Sequence, residues 1–170
     1  MAFVFGDSFD CYVTADFTDY WTEVTAGVAI SSGNGRNSTS SCRISYAASS
    51  ARYIRKTLAA QATWIIGVAF RTASMFSATA EIIGLLDAGS RQCSIYKNID
   101  GTLSVTRAGT VLTGGTSSLS LLANEFYWIE WKVTIANSIG AGSCVVKVNG
   151  VTWITVATGQ DTQATANATA

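Results

Sequence analysis

The chain has 170 residues, 48% of them apolar and only 13% charged, with eleven basic and eleven acidic side chains and neither histidine nor proline. Zero net charge leaves no field to draw in phosphate backbones or anionic lipid, which excludes nucleic acid and membrane surfaces as expected partners. The length suits one domain, and so uncharged a surface suits a subunit that self-associates within an assembly.

The opening Met-Ala-Phe-Val-Phe-Gly-Asp lacks a basic region and meets an acid early, so no secretory signal is expected. Residues 3–10 read as an opening strand with a bend at Gly6. Residues 16–21, Asp-Phe-Thr-Asp-Tyr-Trp, predict a single helical turn capped by Asp16 before Trp21 enters the core. Residues 31–41 are Ser, Gly, Asn and Thr around Arg36, a composition that predicts a mobile surface loop.

Residues 42–46 and 53–58 alternate apolar and polar, as half-buried strands do. Residues 64–71 are apolar on both faces, which predicts a central strand covered on two sides. The apolar run 58–70 that contains it is too short to span a bilayer and is interrupted by Gln61 and Thr63. Strands are expected at 81–86, 92–99 and 103–107, the last two joined by Asp100-Gly101 in a type I′ turn. A Gly- and Ser-rich loop is expected around 114–120. In 127–135, Ile129, Trp131, Val133 and Ile135 face inward while Glu130, Lys132 and Thr134 face outward. The strongest local signal is the hairpin 144–148 and 151–156 about Asn149-Gly150. From 158 to 170 there is no large apolar residue, so the folded domain is expected to occupy 1–157, with 158–170 a loose arm or the start of a missing closing segment.

Strands at this spacing without an amphipathic helix define an all-β chain, an antiparallel β-sandwich of jelly-roll type. Cys11, Cys42, Cys93 and Cys144 form no Cys-x-x-Cys motif and have no histidine to complete a zinc site, so they read as small, mostly buried thiols, with disulfides the alternative.

The opening Phe-Gly-Asp-Ser-Phe-Asp, the apolar strand ending in Phe70-Arg71, the Asp100-Gly101 hairpin, Trp128-Ile129-Glu130-Trp131-Lys132-Val133 and Val146-Lys147-Val148-Asn149-Gly150 together resemble laminin-G-like or concanavalin A-like jelly-roll domains of bacteriophage virion proteins. The resemblance implies a non-enzymatic capsid decoration or tail-associated subunit on the virion surface, assembled in the host cytoplasm. Its implied partners are other virion proteins, major capsid or tail, and further copies of itself. The alternative is a carbohydrate-binding adhesion module for host surface glycans.

No catalytic, cofactor-binding or metal-ligating residue is expected. Glycosidases of this fold resemble one another in a Glu-x-Asp-x-Glu strand, which is absent here, and Glu130 with Lys132 on the same face reads as a surface pair. Without histidine, the common serine and cysteine triads have no general base. Asp87 and Asp100 stand at strand ends, where laminin-G-like domains often hold calcium, but neither has a second acid beside it. Asp7 and Asp10 read as turn or inter-strand hydrogen-bonding residues, and the sequons at Asn37 and Asn167 matter only in a secreted eukaryotic protein. Of Trp21, Trp64, Trp128, Trp131 and Trp153, most fall on inward faces; Trp128 opposes Trp131 in strand phase, which makes it the aromatic expected outside, as an oligomer contact or a ligand platform.

Overall fold

Period-two alternation carries most of the chain into strands, and a computed structural model of the protein describes residues 5–45, 51–74, 77–137 and 141–164. Two compact units form, Met1–Ala59 and Ala60–Ala170.

In the first unit a 3₁₀ turn at Thr14–Asp16 leads into the short helix α1, Phe17–Tyr20. Four short strands follow: β1 (Glu23–Val24), β2 (Val28–Ser31), β3 (Ser41–Ile44) and β4 (Ile54–Arg55). They pair antiparallel as β1 with β4 and β2 with β3. The expected helical turn is present, but Asp16 does not cap α1; its carboxylate accepts the Val13 N–H at 3.0 Å. Trp21 is half-buried in an aromatic cluster, edge-on to Phe5 at 5.1 Å and stacked on Phe9 at 5.9 Å, around the buried Phe17.

Residues 5–10 form no strand, and the rest of that expected strand lies outside the described residues. The reason is local: Asp7 bends the chain by accepting the Phe9 N–H at 2.8 Å, with Phe9 in the left-handed region. The segment 31–41, expected as a loop, is the connection of the β2–β3 hairpin, closed by Gly35 N–H to the Thr39 carbonyl at 2.7 Å and by Ser40 N–H to Asp10 at 2.9 Å. Its polar residues order through hydrogen bonds rather than apolar burial. Of 53–58 only Ile54 and Arg55 are in a strand, and Tyr46 lies outside the described residues.

Among the described residues the second unit holds eight strands in two antiparallel sheets. They are β5 (Thr63–Phe70), β6 (Ala80–Asp87), β7 (Ser90–Lys97), β8 (Thr102–Arg107), β9 (Thr110–Ser120), β10 (Tyr127–Thr134), β11 (Gly142–Val148) and β12 (Val151–Gln160). The sheet orders are β12-β11-β10-β5 and β6-β7-β8-β9. Each inner face is apolar: Ile129, Trp131, Val133, Val146 and Ile154 from one sheet and Cys93, Ile95, Leu103 and Val105 from the other join one cluster, nearly all with no accessible surface. The unit is thus a sandwich-like all-β body. Neighbours in sequence are mostly neighbours in the sheets, and only β5 pairs out of turn.

The inward set predicted for 127–135 is the observed one, with Ile129, Trp131 and Val133 at 0% and Ile135 at 6% exposure. β5 differs from its expectation. It ends its sheet's order among the described residues, and only Trp64, Ile66, Val68 and Phe70 pack on the core, while Ile65 is 57% exposed. The run expected as a Gly- and Ser-rich loop, 114–120, is the C-terminal part of β9. There the backbone packs too closely for a side chain: a Cβ on Gly115 would lie 2.8 Å from the Leu112 carbonyl and 2.9 Å from that of Val105.

Turn chemistry divides in an instructive way. Asn149 and Gly150 both take positive φ, the type I′ geometry expected of them. Asp100-Gly101 does not, since only Gly101 is left-handed. The connection spans 98–101, with Gly101 N–H bonded to the Asn98 carbonyl at 3.0 Å and Asp100 accepting the Thr102 N–H at 2.9 Å. The other two-residue type I′ turns are Ala88-Gly89 and Ala108-Gly109, where alanine holds φ of 46° in both. Left-handed alanine is strained, and asparagine tolerates that region better. Ala88→Asn and Ala108→Asn are therefore expected to stabilise the protein by about 0.5–1 kcal/mol each, read from urea midpoints.

The end of the sandwich is closed by polar bonds. β12 runs past 157 to Gln160, and beyond it Thr162 and Gln163 are 0% and 6% exposed. The Thr162 hydroxyl donates to the Thr134 carbonyl at 2.7 Å and accepts the Ala136 N–H at 2.9 Å. Asp161 pairs with Arg107 at 2.8 Å, Arg107 Nε donates to the Gln163 carbonyl at 2.7 Å, and Ala164 N–H donates to Gln92 Oε1 at 2.8 Å. Of the stretch expected as a loose arm or the start of a missing closing segment, the part up to Ala164 is held by hydrogen bonds that apolar patterning does not register; residues 165–170, including Asn167, lie outside the described residues.

All four cysteines are free thiols. Burial pushes the Cys93 thiol up to about 12 and that of Cys144 up to about 11. In the unfolded chain both titrate nearer 9, so their contribution to stability is full below about pH 9 and is lost as pH rises toward 11 and 12. The melting temperature should accordingly fall across that alkaline window, and Cys93→Ala should flatten the fall in a series of thermal melts.

Candidate functional site

Two faces of the second unit that turn away from the shared apolar cluster are built by the sheets themselves; the first carries exposed side chains, whereas Ser94, Ser104 and Thr106 on the second are buried. On the first sheet, strand phase turns Trp128, Glu130 and Lys132 of β10 away from the core, beside Ile65, Gly67 and Ala69 of β5. Trp128 is 38% exposed and its indole lies over Gly67, where a Cβ would come within 2.6 Å of Cζ2. Its N–H backbone is fixed by Asn149 Oδ1 at 2.8 Å, so the hairpin turn that ends β11 also orients β10. Trp128 and Ile65 are large exposed apolar side chains on this face, which also carries Glu130, Lys132 and Lys147.

On the second sheet, the face away from the core carries small hydroxyl side chains. Ser94 stands opposite Thr106 and Tyr96 opposite Ser104 across the β7–β8 ladder. A cleft of about 320 Å³ opens beside Tyr96, Ser104 and Thr106, lined also by Thr79, Asn98 and Val111. Asn98 donates to Thr102 Oγ1 at 2.9 Å and accepts from Ser104 at 3.2 Å, which fixes that rim. Tyr96 donates to Glu81 Oε2 at 3.1 Å, and Glu81 pairs with Arg91 Nε at 2.5 Å. Burial, then the neighbouring Glu81 carboxylate, raises the Tyr96 phenol above its ordinary value, so it stays protonated at neutral pH.

The residues singled out from the sequence are not brought together. Trp131 is fully buried, while Trp64 and Trp153 pack against the core from its margin. Trp128 is outside, as strand phase required. Glu130 lies opposite Gly67 and Lys147, and makes no ion pair with Lys132. Asp87 ends β6, and the Asp100 carboxylate is bound to the Thr102 N–H and hydroxyl, hydrogen bonds that hold it below its ordinary value. In the first unit, Asp7 accepts from Tyr12, from Trp21 Nε1 at 2.8 Å and from the Phe9 N–H, a turn role as anticipated. Asn37 sits in a 3₁₀ turn with positive φ. Among the described residues no group of three or more acids, cysteines or histidines is arranged to hold a metal ion, and no helix is long and apolar enough to cross a membrane.

The polar cleft was missed because outward Ser and Thr on a strand read as ordinary solvent-facing positions. The available signal was their pairing: hydroxyl residues occupy outward positions on two consecutive strands, Ser94 and Tyr96 on β7 and Ser104 and Thr106 on β8. Compared with known proteins, the chain matches no family model, no curated protein and no solved structure.

Proposed function

We propose that this chain is a non-enzymatic virion structural protein of a bacteriophage, a jelly-roll, concanavalin A-like subunit that decorates the capsid or sits on the tail and assembles through protein–protein contacts. The observation that carries the reading is the outer face of the first sheet. The exposed Trp128 indole lies over Gly67, on the same face as the exposed Ile65, an aromatic of the kind on which interfaces concentrate their binding energy. Zero net charge supports it too, since nothing repels a second copy. The resemblance of the opening segment and the two hairpins to phage domains supplies the particle.

The mechanism is passive. Subunits bury complementary surface about a symmetry axis, and they stabilise the particle because they bind the assembled state more tightly than its free components. Co-sedimentation of the purified chain with capsids and with tails tests it. The chain is expected to pellet with one of them and to lose that binding on Trp128→Glu; recovery in the supernatant from both would refute the reading.

A second reading, a carbohydrate-binding module for host glycans, is favoured by the neutral hydroxyl-lined cleft of the second sheet.

A further inference from the structure

We infer that β5 is an assembly edge, along which a second copy of this chain adds its own β5 antiparallel about a two-fold axis; this rests on the assembly reading and supplies its geometry. Each sheet of the second unit ends in two outer strands. Two of the four, β9 and β12, lie against each other, with the Thr155 carbonyl 3.8 Å from where a Cβ on Gly114 would stand. β6 carries devices that blunt an edge, Glu81 and Asp87 near its ends and two irregularities in its register. β5 carries none. Thr63–Phe70 includes no charge and no proline, its register with β10 runs without a break, and among the described residues no strand lies on its other side.

Hydrogen-bond phase shows which groups that edge offers. Ile135 N–H donates to the Ala62 carbonyl at 2.8 Å, whereas the Trp128 backbone, opposite Ala69, turns away from β5 and bonds to Asn149 through both its N–H and its carbonyl, at 2.8 Å each. Antiparallel pairing alternates, so the even-numbered residues of 62–70 bond to β10, and Thr63, Ile65, Gly67 and Ala69 turn both backbone groups outward along the edge. Such an edge takes an extended backbone, which alone meets alternating donors and acceptors at this spacing.

Self-complementarity points to a second β5. With the axis at Ile66, Thr63 stands across from the partner's Ala69 and Ile65 across from the partner's Gly67, and reciprocally, so all four outward-turned residues are paired. Gly67 is the residue that the Trp128 indole covers, so the partner's Ile65 arrives beside that indole. The exposed Ile65 and Trp128, 57% and 38% accessible, thus cover each other across the axis. On the core side Ile66 meets the partner's Ile66, and Trp64 the partner's Val68, which continues the rows that β5 leaves half-buried. An axis at Gly67 instead draws Arg71, beyond the strand, into the ladder and moves the partner's Ile65 off the glycine.

Proline separates the two edges of β5. The Ile65 N–H points away from β10, so Ile65→Pro removes nothing from the β5–β10 ladder but deletes one bond from each copy, two per dimer. The full-length variant should keep its circular dichroism and associate about thirtyfold more weakly in sedimentation velocity. Hydrogen exchange of the wild-type chain is the second measurement. The amides of Ile65, Gly67 and Ala69 should gain protection as concentration rises, while those of Ile66 and Val68, already bonded to β10, change less. An oligomer indifferent to Ile65→Pro overturns the edge, and if Trp128→Glu still dissociates it the assembly reading stands. A wild-type chain that is monomeric at all concentrations overturns both. Should Ile65→Pro fail to fold, the exchange decides alone: protection at Ile65, Gly67 and Ala69 that does not depend on concentration overturns the edge.

Discussion

Trp131→Ala should destabilise the second unit by about 3–5 kcal/mol, the largest loss expected from any single substitution in the chain. Trp131 is the largest fully buried side chain, in the middle of β10, paired with Val146 on one side and Ile66 on the other. It reaches the shared cluster that includes residues of both sheets, so removing it opens a cavity that neither sheet can close without moving the other. Equilibrium urea unfolding followed by far-ultraviolet circular dichroism measures the loss. Trp131→Phe, which keeps most of the apolar contact, should lose markedly less, and equal losses in the two variants would show that the site is not packed as described.

Thr162→Val should cost about 1–3 kcal/mol although it changes almost no volume. The hydroxyl it removes serves two backbone groups at once, the Thr134 carbonyl and the Ala136 N–H. Valine would leave the Ala136 donor unpaired in a site with no accessible surface at position 162. Close packing leaves little room for water to replace it: a Cβ on Gly142 would already lie 2.5 Å from the Thr162 hydroxyl. Hydrogen exchange should report it directly, with the Ala136 amide losing protection in the variant while the amides of β7 and β8 keep theirs. Unchanged protection at Ala136 would mean that the segment after β12 is not fastened by this residue.

These two residues also mark the boundary of what the sequence makes legible. Trp131 is readable because its neighbours alternate strictly, and alternation translates into burial through strand geometry alone. The same logic placed Trp128 outside, whereas the Asn149-Gly150 turn was legible from its dipeptide. Thr162 is not readable, because its burial depends on a hydrogen-bond geometry between segments far apart in the chain, and a polar residue in a polar stretch carries no periodic signal. β9 fails for a related reason: its glycines resemble loop composition, yet Gly115 stands where neighbouring carbonyls approach too closely for a Cβ and Gly114 takes a positive φ.

The turns show the limit at finer grain. Asp100-Gly101 has the letters of a type I′ turn, but the Asp100 carboxylate bonds to Thr102 and lengthens the connection. Ala88-Gly89 and Ala108-Gly109 lack those letters and adopt the geometry. Hydrogen-bonding side chains and the pull of two well-packed strands outweigh dipeptide preference in both directions. For the surfaces, the exposed tryptophan was legible from phase alone. The hydroxyl cleft required knowing which strands are neighbours.

The assembly reading stands on the exposed Trp128 on the outer face of the first sheet, and sedimentation equilibrium of the purified chain tests it most directly. The account predicts a defined oligomer for the wild-type chain and a folded monomer for Trp128→Glu, with circular dichroism unchanged. A wild-type chain that remains monomeric at all concentrations, or an oligomer indifferent to Trp128→Glu, would contradict it.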